Sequence, residues 1–290
     1  MNAVVVGGGA WGTAFTDLLR ERGHDVTLAT RTTIDEAPYE DAELVVIAVP
    51  SSSFREVLGH VRGDAPVLSL VKGLDPASGN RLSTLVTDRP VAVLSGPNMA
   101  EEVAAGLPGA TVIASEDESL ALWLQDAITS VTFRVYVNTD LIGVELCGAA
   151  KNVIALSAGG VDGLRLGDNA KAAMITRGLV EMARLGEACG AEPETFSGLA
   201  GMGDLICTCW HPSGRNRRAG ELIARGATPD EARAAIGQVV EGLTTAPVLR
   251  DLSHRIGVEL PITEGVCAVL DGMQLDELLA SLMGRRATAE

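Results

Sequence analysis

The chain has 290 residues, enough for one large or two moderate domains, and 47% of them are apolar although only 3% are aromatic. A core must therefore be built from aliphatic side chains and alanine. The formal net charge of −15 argues against nucleic acids and anionic membranes as partners. No signal peptide is recognisable before the first strand, and the longest apolar run contains Glu145, Lys151 and Asn152, so we expect a cytoplasmic protein without a membrane span.

The first thirty residues predict a strand, a glycine-rich turn, a helix and a second strand. These are residues 4–6, the turn Gly7-Gly8-Gly9-Ala10-Trp11-Gly12, residues 13–22 and residues 26–29. A G-x-G-x-x-G pattern in this context is typical of dinucleotide binding, although an ordinary turn between strand and helix remains the alternative. Gly7 would permit the tight turn, Gly9 the approach of a pyrophosphate, and Gly12 close packing of the helix on the strand.

The residues after the second strand bear on the choice of cofactor. The strand is followed by Thr30-Arg31-Thr32-Thr33, without the acid that would bind the ribose of NAD. An arginine at this place suits a 2′-phosphate, so the sequence favours NADP over NAD, unless Arg31 is merely solvated.

Strand and helix patterns then alternate up to residue 137. Continuous apolar strands are predicted at 43–49, 66–71, 91–94, 109–114 and 132–137, with helices at 54–61 and 119–128. Such strands with helical crossovers indicate an α/β fold with a doubly wound parallel sheet covered on both faces. Ligands of such sheets bind beyond the carboxyl ends of the strands, so the glycine-rich turn, Lys72 and residues 96–98 should line one crevice.

Beyond residue 138 the apolar spacing becomes mostly helical. We therefore expect a dinucleotide-binding domain at residues 1–137 and an all-helical second domain at residues 138–290. Thr139-Asp140 can begin a long helix, and loops are expected at 159–168, 198–204, 210–215 and 257–261.

Only three lysines occur in the chain, Lys72, Lys151 and Lys171, and the other cations are arginines. Lysine can release a proton when it is desolvated and arginine effectively cannot, so these are candidate sites of proton chemistry. Biased codon usage is the alternative, and Lys171 could be structural. Lys151 follows three small residues on a helix, and a carboxylate such as Asp204 would keep it charged, although Asp204 could equally cap a helix.

Cysteines and the densest basic stretch complete the candidate residues. The five cysteines are odd in number, which argues against a disulfide framework, and Cys207-x-Cys209 beside His211 lacks the second pair of ligands that a zinc site needs. An acidic protein that binds anionic ligands needs local positive charge, and residues 214–218, Gly-Arg-Asn-Arg-Arg, supply it.

Four motifs in this order resemble the bacterial NAD(P)-dependent glycerol-3-phosphate dehydrogenases over nearly the whole chain. They are residues 144–155, VELCGAAKNVIA; 167–173, GDNAKAA; 198–205, GLAGMGDL; and 215–217, RNR. The resemblance implies a Rossmann-type domain followed by a helical domain, a homodimer, and reduction of dihydroxyacetone phosphate to sn-glycerol 3-phosphate with NADP or NAD.

The resemblance also implies roles for individual residues. Lys151 matches the proton donor and acceptor, and Lys72 and Asp204 complete the catalytic group. The expected substrate-binding residues are Lys72, Gly96, Asn98, Lys151, Asp204, Gly214, Arg215 and Asn216. The expected cofactor-binding residues are Gly7, Gly9, Ala10, Trp11, Gly12, Arg31, Lys72, Ala100, Arg215, Val239 and Glu241. No metal is expected.

Three departures from the family pattern leave alternatives open. Asn98 stands where the family usually has Ser or Thr, and Gly214 stands where it usually has Ser. The segment between Arg31 and Glu43 is shorter than in the family. The alternatives are a reductase of another phosphorylated or phosphonate ketone, and a nucleotide-binding regulatory protein without turnover.

Overall fold

A mostly parallel seven-stranded sheet forms the N-terminal half of the protein. The structure is a computed structural model that describes residues 1–275, 277 and 278. Its strands are β1 (Asn2–Val6), β2 (Asp25–Ala29), β3 (Leu44–Ile47), β4 (Val67–Ser69), β5 (Val91–Ser95), β6 (Gly109–Ala114) and β7 (Phe133–Asn138). They lie in the order β2-β1-β3-β4-β5-β6-β7. This confirms the predicted Rossmann-type α/β fold.

Helices cover the sheet, and every regular element of the described chain beyond β7 is helical. The helices of the first half are α1 (Ala10–Glu21), α2 (Phe54–Leu58), α3 (Ala100–Ala104) and α4 (Glu118–Ile128). Those of the second half are α5 (Leu141–Gly163), α6 (Asp168–Ala188), α7 (Pro193–Ser197), α8 (Asp204–Trp210), α9 (Arg215–Ala224), α10 (Pro229–Ile236), α11 (Glu241–Ile256) and α12 (Pro261–Leu270). The predicted helical second half is therefore confirmed.

The expectation of a purely parallel sheet is wrong at one pair of strands. β5 and β6 are antiparallel, with Val93 opposite Ala114 and Ser95 opposite Val112, whereas the other pairs are parallel. The connection between them contains only the short helix α3. This connection returns the chain in the opposite direction, so β6 pairs antiparallel with β5.

Helix α5 is the centre of the second half. Asp140 caps it by accepting a hydrogen bond from Gly143 N, as the sequence predicted. Within the described residues it is the one helix long and apolar enough to cross a membrane, and 89% of its apolar window is buried inside the protein. It is thus the core helix that the sequence indicated.

The predicted loop at 159–168 is too long, because α5 continues to Gly163. A Cβ at Gly159 would lie 1.8 Å from Arg217 O, and a Cβ at Gly163 would lie 2.7 Å from Glu221 O. These glycines therefore allow α9 to pack directly on α5, and do not mark the end of a helix. The predicted loop at 198–204 is likewise largely a π-helical turn, Leu199–Gly203, that leads into α8.

Candidate active site

The glycine-rich turn between β1 and α1 has the geometry that the sequence predicted. Gly7 has a φ of 124°, and a Cβ there would lie 2.3 Å from Ala48 O. A Cβ at Gly12 would lie 1.9 Å from Gly7 O, so only glycine lets α1 start this close to the turn. Gly9 precedes the helix in an extended conformation, and a Cβ there would have no atom within 4 Å in the described chain.

The first turn of α1 is suited to an anion. No side chain of the described residues caps this helix end, and its first turn contains no acidic residue. The amides of Ala10, Trp11 and Gly12 therefore face outward at the positive end of a helix, where a pyrophosphate binds. The Trp11 indole packs against Phe15 and Phe133, and its buried Nε1 has no hydrogen-bond partner among the described residues. The turn fits a dinucleotide cofactor.

Two lysines and one carboxylate meet beside the carboxyl ends of β4 and β5. Asp204, the first residue of α8, accepts from Lys72 Nζ at 2.7 Å through Oδ2 and from Lys151 Nζ at 2.6 Å through Oδ1. Lys72 Nζ also donates to Gly96 O at 2.8 Å. The Asp204 carboxylate thus joins two lysines that are distant in sequence, and it is not the helix cap that remained an alternative.

Burial and charge shift the pKa values of this group. Burial lowers the pKa of Lys151 to about 8, although the attraction of Asp204 opposes the shift. Burial raises the pKa of Asp204, but attraction and hydrogen bonds from Lys151 and Lys72 outweigh it, so the pKa of this carboxyl lies below its usual value. Lys151 can therefore hold a proton and release it near neutral pH, which is the property that general acid catalysis needs.

Thr208 completes this group with Lys72, Lys151 and Asp204, which we call the lysine group, and Thr208 was missed from the sequence. Its Oγ1 accepts from Lys151 Nζ at 2.8 Å and donates to Asp204 Oδ1 at 3.2 Å. Thr208 follows Asp204 by one helical turn on α8, so a search for polar residues four positions from the candidate acid would have found it.

A chain of amide groups connects the lysines to the start of α9. Asn152 Nδ2 donates to Lys72 O at 2.9 Å, and Asn216 Nδ2 donates to Asn152 Oδ1 at 2.8 Å. Asn216 Oδ1 accepts from Gly242 N at 2.9 Å. Asn216 therefore lies beside the lysine group as expected, with one amide hydrogen left for a ligand.

Arg215 and Gly214 form the start of α9. The Arg215 side chain is exposed, and its Nη1 donates to Val239 O at 3.2 Å. A Cβ at Gly214 would lie 3.0 Å from Thr208 O and 3.1 Å from His211 O, so glycine relieves a tight turn here. The N-terminus of α9 and the Arg215 guanidinium together offer a site for a phosphate group.

The segment after β5 contributes backbone more than side chains. Gly96 has a φ of 152°, and its carbonyl holds Lys72. The Asn98 amide donates to Ala110 O at 3.2 Å and accepts from Thr111 Oγ1 at 3.0 Å. The nitrogen and the oxygen of this amide are thus both bound to β6, so the asparagine at position 98 stabilises the sheet. Ala100 begins α3 at the same edge.

Two predicted cofactor residues lie where the halves of the chain meet. The Glu241 carboxylate accepts from Ser51 N at 3.0 Å and from Ser51 Oγ at 2.6 Å, and Ser51 follows β3. Val239 is 41% exposed and binds Arg215 through its carbonyl. The sequence indicated neither the pairing of Glu241 with Ser51 nor its position between the halves.

Arg31 lies in the turn after β2, exposed to solvent. The Thr30 hydroxyl lies 3.1 Å from that of Thr32 and 3.3 Å from that of Thr33. Gly7 N donates to Ala29 O at 2.9 Å, so this turn adjoins the glycine-rich turn. Among the described residues, no hydrogen bond or ion pair engages the Arg31 side chain.

Lys171 is held outside the lysine group. Its Nζ donates to Asp162 Oδ2 at 2.8 Å and lies 4.9 Å from the centre of the Trp210 ring. Arg217 binds the same carboxylate at 2.7 Å. Lys171 therefore fastens the end of α8 to α5, in line with the structural alternative. The described part of the chain contains no group of three or more His, Cys, Asp or Glu residues that could hold a metal ion.

Family models match both halves of the chain. Residues 27–121 match the family model described as the NAD-dependent glycerol-3-phosphate dehydrogenase N-terminus, and residues 140–280 match the model of its C-terminus. The glycerol-3-phosphate dehydrogenase (NAD(P)+) of Symbiobacterium thermophilum is 48% identical over 261 residues, covering 86% of this chain and 76% of that protein. That of Macrococcus caseolyticus is 40% identical over 327 residues, covering 99% of this chain and 98% of that protein.

A solved structure extends the likeness to three dimensions. The glycerol-3-phosphate dehydrogenase of Coxiella burnetii superposes with a TM-score of 0.92 at 35% identity, covering 98% of this chain and 99% of that one. The Macrococcus alignment is longer than the 290 residues of this chain, so the chain lacks residues that this relative has. The chain belongs to the NAD-dependent glycerol-3-phosphate dehydrogenase family.

Proposed function

We propose that this protein reduces dihydroxyacetone phosphate to sn-glycerol 3-phosphate, with NADPH or NADH as the reductant. The single observation that carries the proposal is the group in which Asp204 binds both Lys151 and Lys72. Names of relatives that are 40% and 48% identical support the substrate and the cofactor. The cofactor, when bound, supplies the hydride that reaches the ketone carbon.

Lys151 supplies the proton in this proposal. As the ketone is reduced, its oxygen gains negative charge, and the Lys151 ammonium stabilises the charge and donates a proton to that oxygen. Asp204 orients the ammonium and, together with Thr208, keeps Nζ at one position. Lys72, which is held by Gly96 O and Asp204, adds positive charge beside the reacting carbonyl.

The phosphate group binds at the start of α9 in this proposal. The Arg215 guanidinium can contact two phosphate oxygens, and Asn216 has one amide hydrogen free to donate. Since the phosphate lies away from the reacting carbon, its binding energy positions the carbonyl. The Asn98 side chain is bound to β6, so this departure from the family places no new amide group at the substrate, which favours the family's substrate over another phosphorylated or phosphonate ketone.

Loss of NADPH absorbance in the presence of dihydroxyacetone phosphate tests the proposal directly. We expect turnover by the purified parent protein and none by Lys151→Ala, whose NADPH affinity should stay nearly unchanged because the cofactor lies mainly on the first half of the chain. Lys171→Ala is the matched control, since it removes a buried lysine outside the lysine group. A parent protein without turnover would contradict the proposed function, and Lys151→Ala with activity within about tenfold of the parent would contradict the proton-donor role.

We propose further that NADPH is preferred to NADH. Arg31 is exposed beside the glycine-rich turn, and the threonine hydroxyls around it are additional donors to a 2′-phosphate. Arg31→Ala should weaken NADPH binding by about 1.5–3 kcal/mol, the typical contribution of a hydrogen bond to a charged group, and leave NADH binding unchanged. Arg22→Ala, at the opposite end of α1, is the control. Equal weakening of both cofactors would show that Arg31 does not bind the 2′-phosphate.

A cytoplasmic homodimer is the state that we propose for the enzyme. Ile206 and Trp210 on α8 and Met202 in the π-helical turn before it are 46%, 48% and 40% exposed at spacings of four residues, and a second subunit would cover such an apolar surface. The five cysteines are unpaired, as is usual in a reducing compartment. Light scattering of the purified protein tests the dimer, and cell fractionation tests the compartment.

A further inference from the structure

We propose that Glu145 is a positioning residue that holds the segment carrying Lys72 against α5 and thereby sets the placement of Lys72 relative to Lys151. The inference rests on the proposed function, because it assigns Glu145 a part in that reaction. Glu145 touches neither lysine ammonium, so its effect must pass through the segment that it binds.

The contacts of Glu145 cross between the two halves of the chain. Glu145 Oε1 accepts from Ser83 N at 2.9 Å, and Oε2 accepts from Ser83 Oγ at 2.6 Å. Arg81 Nη1 approaches Oε2 at 3.4 Å. The Glu145 side chain is only 2% exposed. Both oxygens of a buried carboxylate are thus used to hold one short segment of the first half.

Ser83 and Arg81 are closely tied to Lys72. Leu74 and Arg81 form an antiparallel bridge, and Asp75 N donates to Asn80 O at 2.9 Å. The chain after Lys72 therefore makes a closed loop and returns to α5 at Ser83. A displacement of Ser83 would be transmitted through this loop to the backbone of Lys72.

A single face of α5 receives the whole segment. Glu145, Gly148 and Asn152 are spaced three and four residues apart, so they lie on the same side of the helix. Glu145 binds Ser83, and Asn152 binds Lys72 O. Between them, a Cβ at Gly148 would lie 3.5 Å from Lys72 Cγ, so the absence of a side chain there leaves room for Lys72. In this position Lys72 Nζ donates to Gly96 O and to Asp204.

The chemistry of Glu145 favours a role in positioning over a role in stability alone. Burial raises its pKa, against the opposing hydrogen bonds of Ser83, so the carboxyl is held in a setting that disfavours its charge. Apolar side chains of similar volume often stabilise a buried site at least as well as charged ones do. A carboxylate fixes direction, since its two oxygens accept the N–H and the O–H of one residue.

The chain offers a matched control for Glu145. Glu181 on α6 is also a buried carboxylate, and it accepts from Ile262 N at 2.7 Å, Thr263 N at 2.9 Å and Thr263 Oγ1 at 2.6 Å. It anchors the start of α12, and burial raises its pKa as well. The two residues differ in what they hold: Glu181 has no contact with the lysine group among the described residues.

The experiment compares Glu145→Gln with Glu181→Gln in the intact protein. In each variant the amide N–H of the new glutamine faces a hydroxyl or a backbone N–H that needs an acceptor. The melting temperatures of both variants should therefore fall by a similar amount. We expect Glu145→Gln to lower kcat/KM by about ten- to a hundredfold, the typical effect of misplacement by about an ångström. Glu181→Gln should leave kcat/KM unchanged at temperatures where both variants are folded.

A double-mutant cycle separates positioning from loss of structure. If Glu145 acts through Lys72, the substitution Glu145→Gln should have almost no further effect on kcat/KM in a Lys72→Ala background. Ser83→Ala removes the hydroxyl donor with a smaller change, and its effect should vanish in the same background, which keeps the test available if Glu145→Gln does not fold.

The outcomes distinguish this inference from the proposed function. A parent protein that does not reduce dihydroxyacetone phosphate contradicts the proposed function. An active parent whose Glu145→Gln and Glu181→Gln variants lose activity equally, or not at all, overturns the positioning role. The positioning role is also overturned if Glu145→Gln or Ser83→Ala lowers kcat/KM as much in the Lys72→Ala background as in the parent.

Discussion

Burial and charge act on Lys151 in opposite directions, and the balance gives the residue its chemistry. Burial lowers the pKa of its ammonium to about 8, and Asp204 limits that shift by stabilising the charge. If Lys151 is the proton donor and acceptor that we propose, reduction of the ketone requires its ammonium and oxidation of the alcohol requires its free amine. The two directions of the reaction should therefore depend on pH in opposite ways.

We expect kcat/KM for dihydroxyacetone phosphate to fall as pH rises through about 8, the pKa of Lys151. Over the same range kcat/KM for glycerol 3-phosphate should rise. Steady-state kinetics between pH 6.5 and about 9.5 measures both, and phosphate monoesters with a second pKa of about 6 are mostly dianions there.

Asp204→Asn provides the control for this pH dependence. The substitution removes the attraction that raises the pKa of Lys151, so the fall in the reduction rate should move to lower pH. A profile that is flat between pH 7 and about 9, or that moves to higher pH in Asp204→Asn, would contradict the assignment of the proton to Lys151.

Arg215→Lys tests the phosphate site without a change in net charge. Lysine loses the planar fork, so we expect a higher KM for dihydroxyacetone phosphate and a lower kcat, because misplacement of the carbonyl by about 1 Å can cost about a hundredfold. Arg218→Lys, an exposed change on the same helix, should have no effect. Non-phosphorylated dihydroxyacetone should be a poor substrate that Arg215→Lys hardly alters. A parent that reduces both ketones equally well would refute the phosphate anchor.

At the scale of elements, glycines decide how closely neighbours approach. Gly12→Ala would place a Cβ 1.9 Å from Gly7 O, so α1 must move away from the turn. We expect a loss of about 1–3 kcal/mol of unfolding free energy, the usual cost of overpacking, together with weaker dinucleotide binding. Thermal denaturation and a fluorescence titration with NADPH measure the two effects.

Gly9→Ala is the companion to Gly12→Ala. Its Cβ has no neighbour within 4 Å in the described structure, and Gly9 has an ordinary φ of −75°. Stability should therefore stay unchanged while the added methyl group hinders the pyrophosphate. A Gly9→Ala variant that binds NADPH as the parent does would show that the cofactor does not approach the backbone here.

Local patterns predicted the elements better than their ends. Residues 109–114 form the strand that the continuous apolar run indicated, and α5 starts at the predicted cap. The end of α5 was missed because Gly159 and Gly163 face α9, a partner more than fifty positions further along the chain, and no local pattern contains that contact. β4 was predicted too long, since the Ser69 hydroxyl accepts the N–H of Val71 and ends the ladder.

At the scale of the whole molecule, the sequence predicted which residues follow strands and suggested Asp204 as a partner of Lys151, but not the contact of Lys72 with Asp204. Lys72 and Asp204 are 132 positions apart and share a hydrogen bond. Lys72 was recognisable as a rare residue after a strand, and the family motifs pointed to Asp204. The contact of Glu145 with Ser83 left no such signal, because an acid in an apolar helix and a serine in a loop are each unremarkable alone.

The boundary near residue 138 separates two patterns of secondary structure, but one buried cluster crosses it, in addition to two clusters that belong to the first half alone. Leu74, Val93 and Val112 of the first half belong to the same buried cluster as the residues of α5. The pairs Lys72–Asp204 and Ser83–Glu145 cross the boundary as buried polar contacts. We therefore expect residues 1–137 and 138–290 to unfold as one cooperative unit, and not as two independent domains.

Trp210→Phe makes this cooperativity measurable. The chain has three tryptophans, so the fluorescence of this variant arises from Trp11 and Trp123 in the first half, whereas far-UV circular dichroism is dominated by the helices of the second. Urea unfolding followed by both signals on the same sample should give one midpoint and one slope, because the shared core and the crossing polar contacts would be lost together. Two separated midpoints, or a fragment of residues 1–137 that folds alone, would mean that the contacts across the boundary contribute little and that the lysine group is assembled by docking of two stable domains.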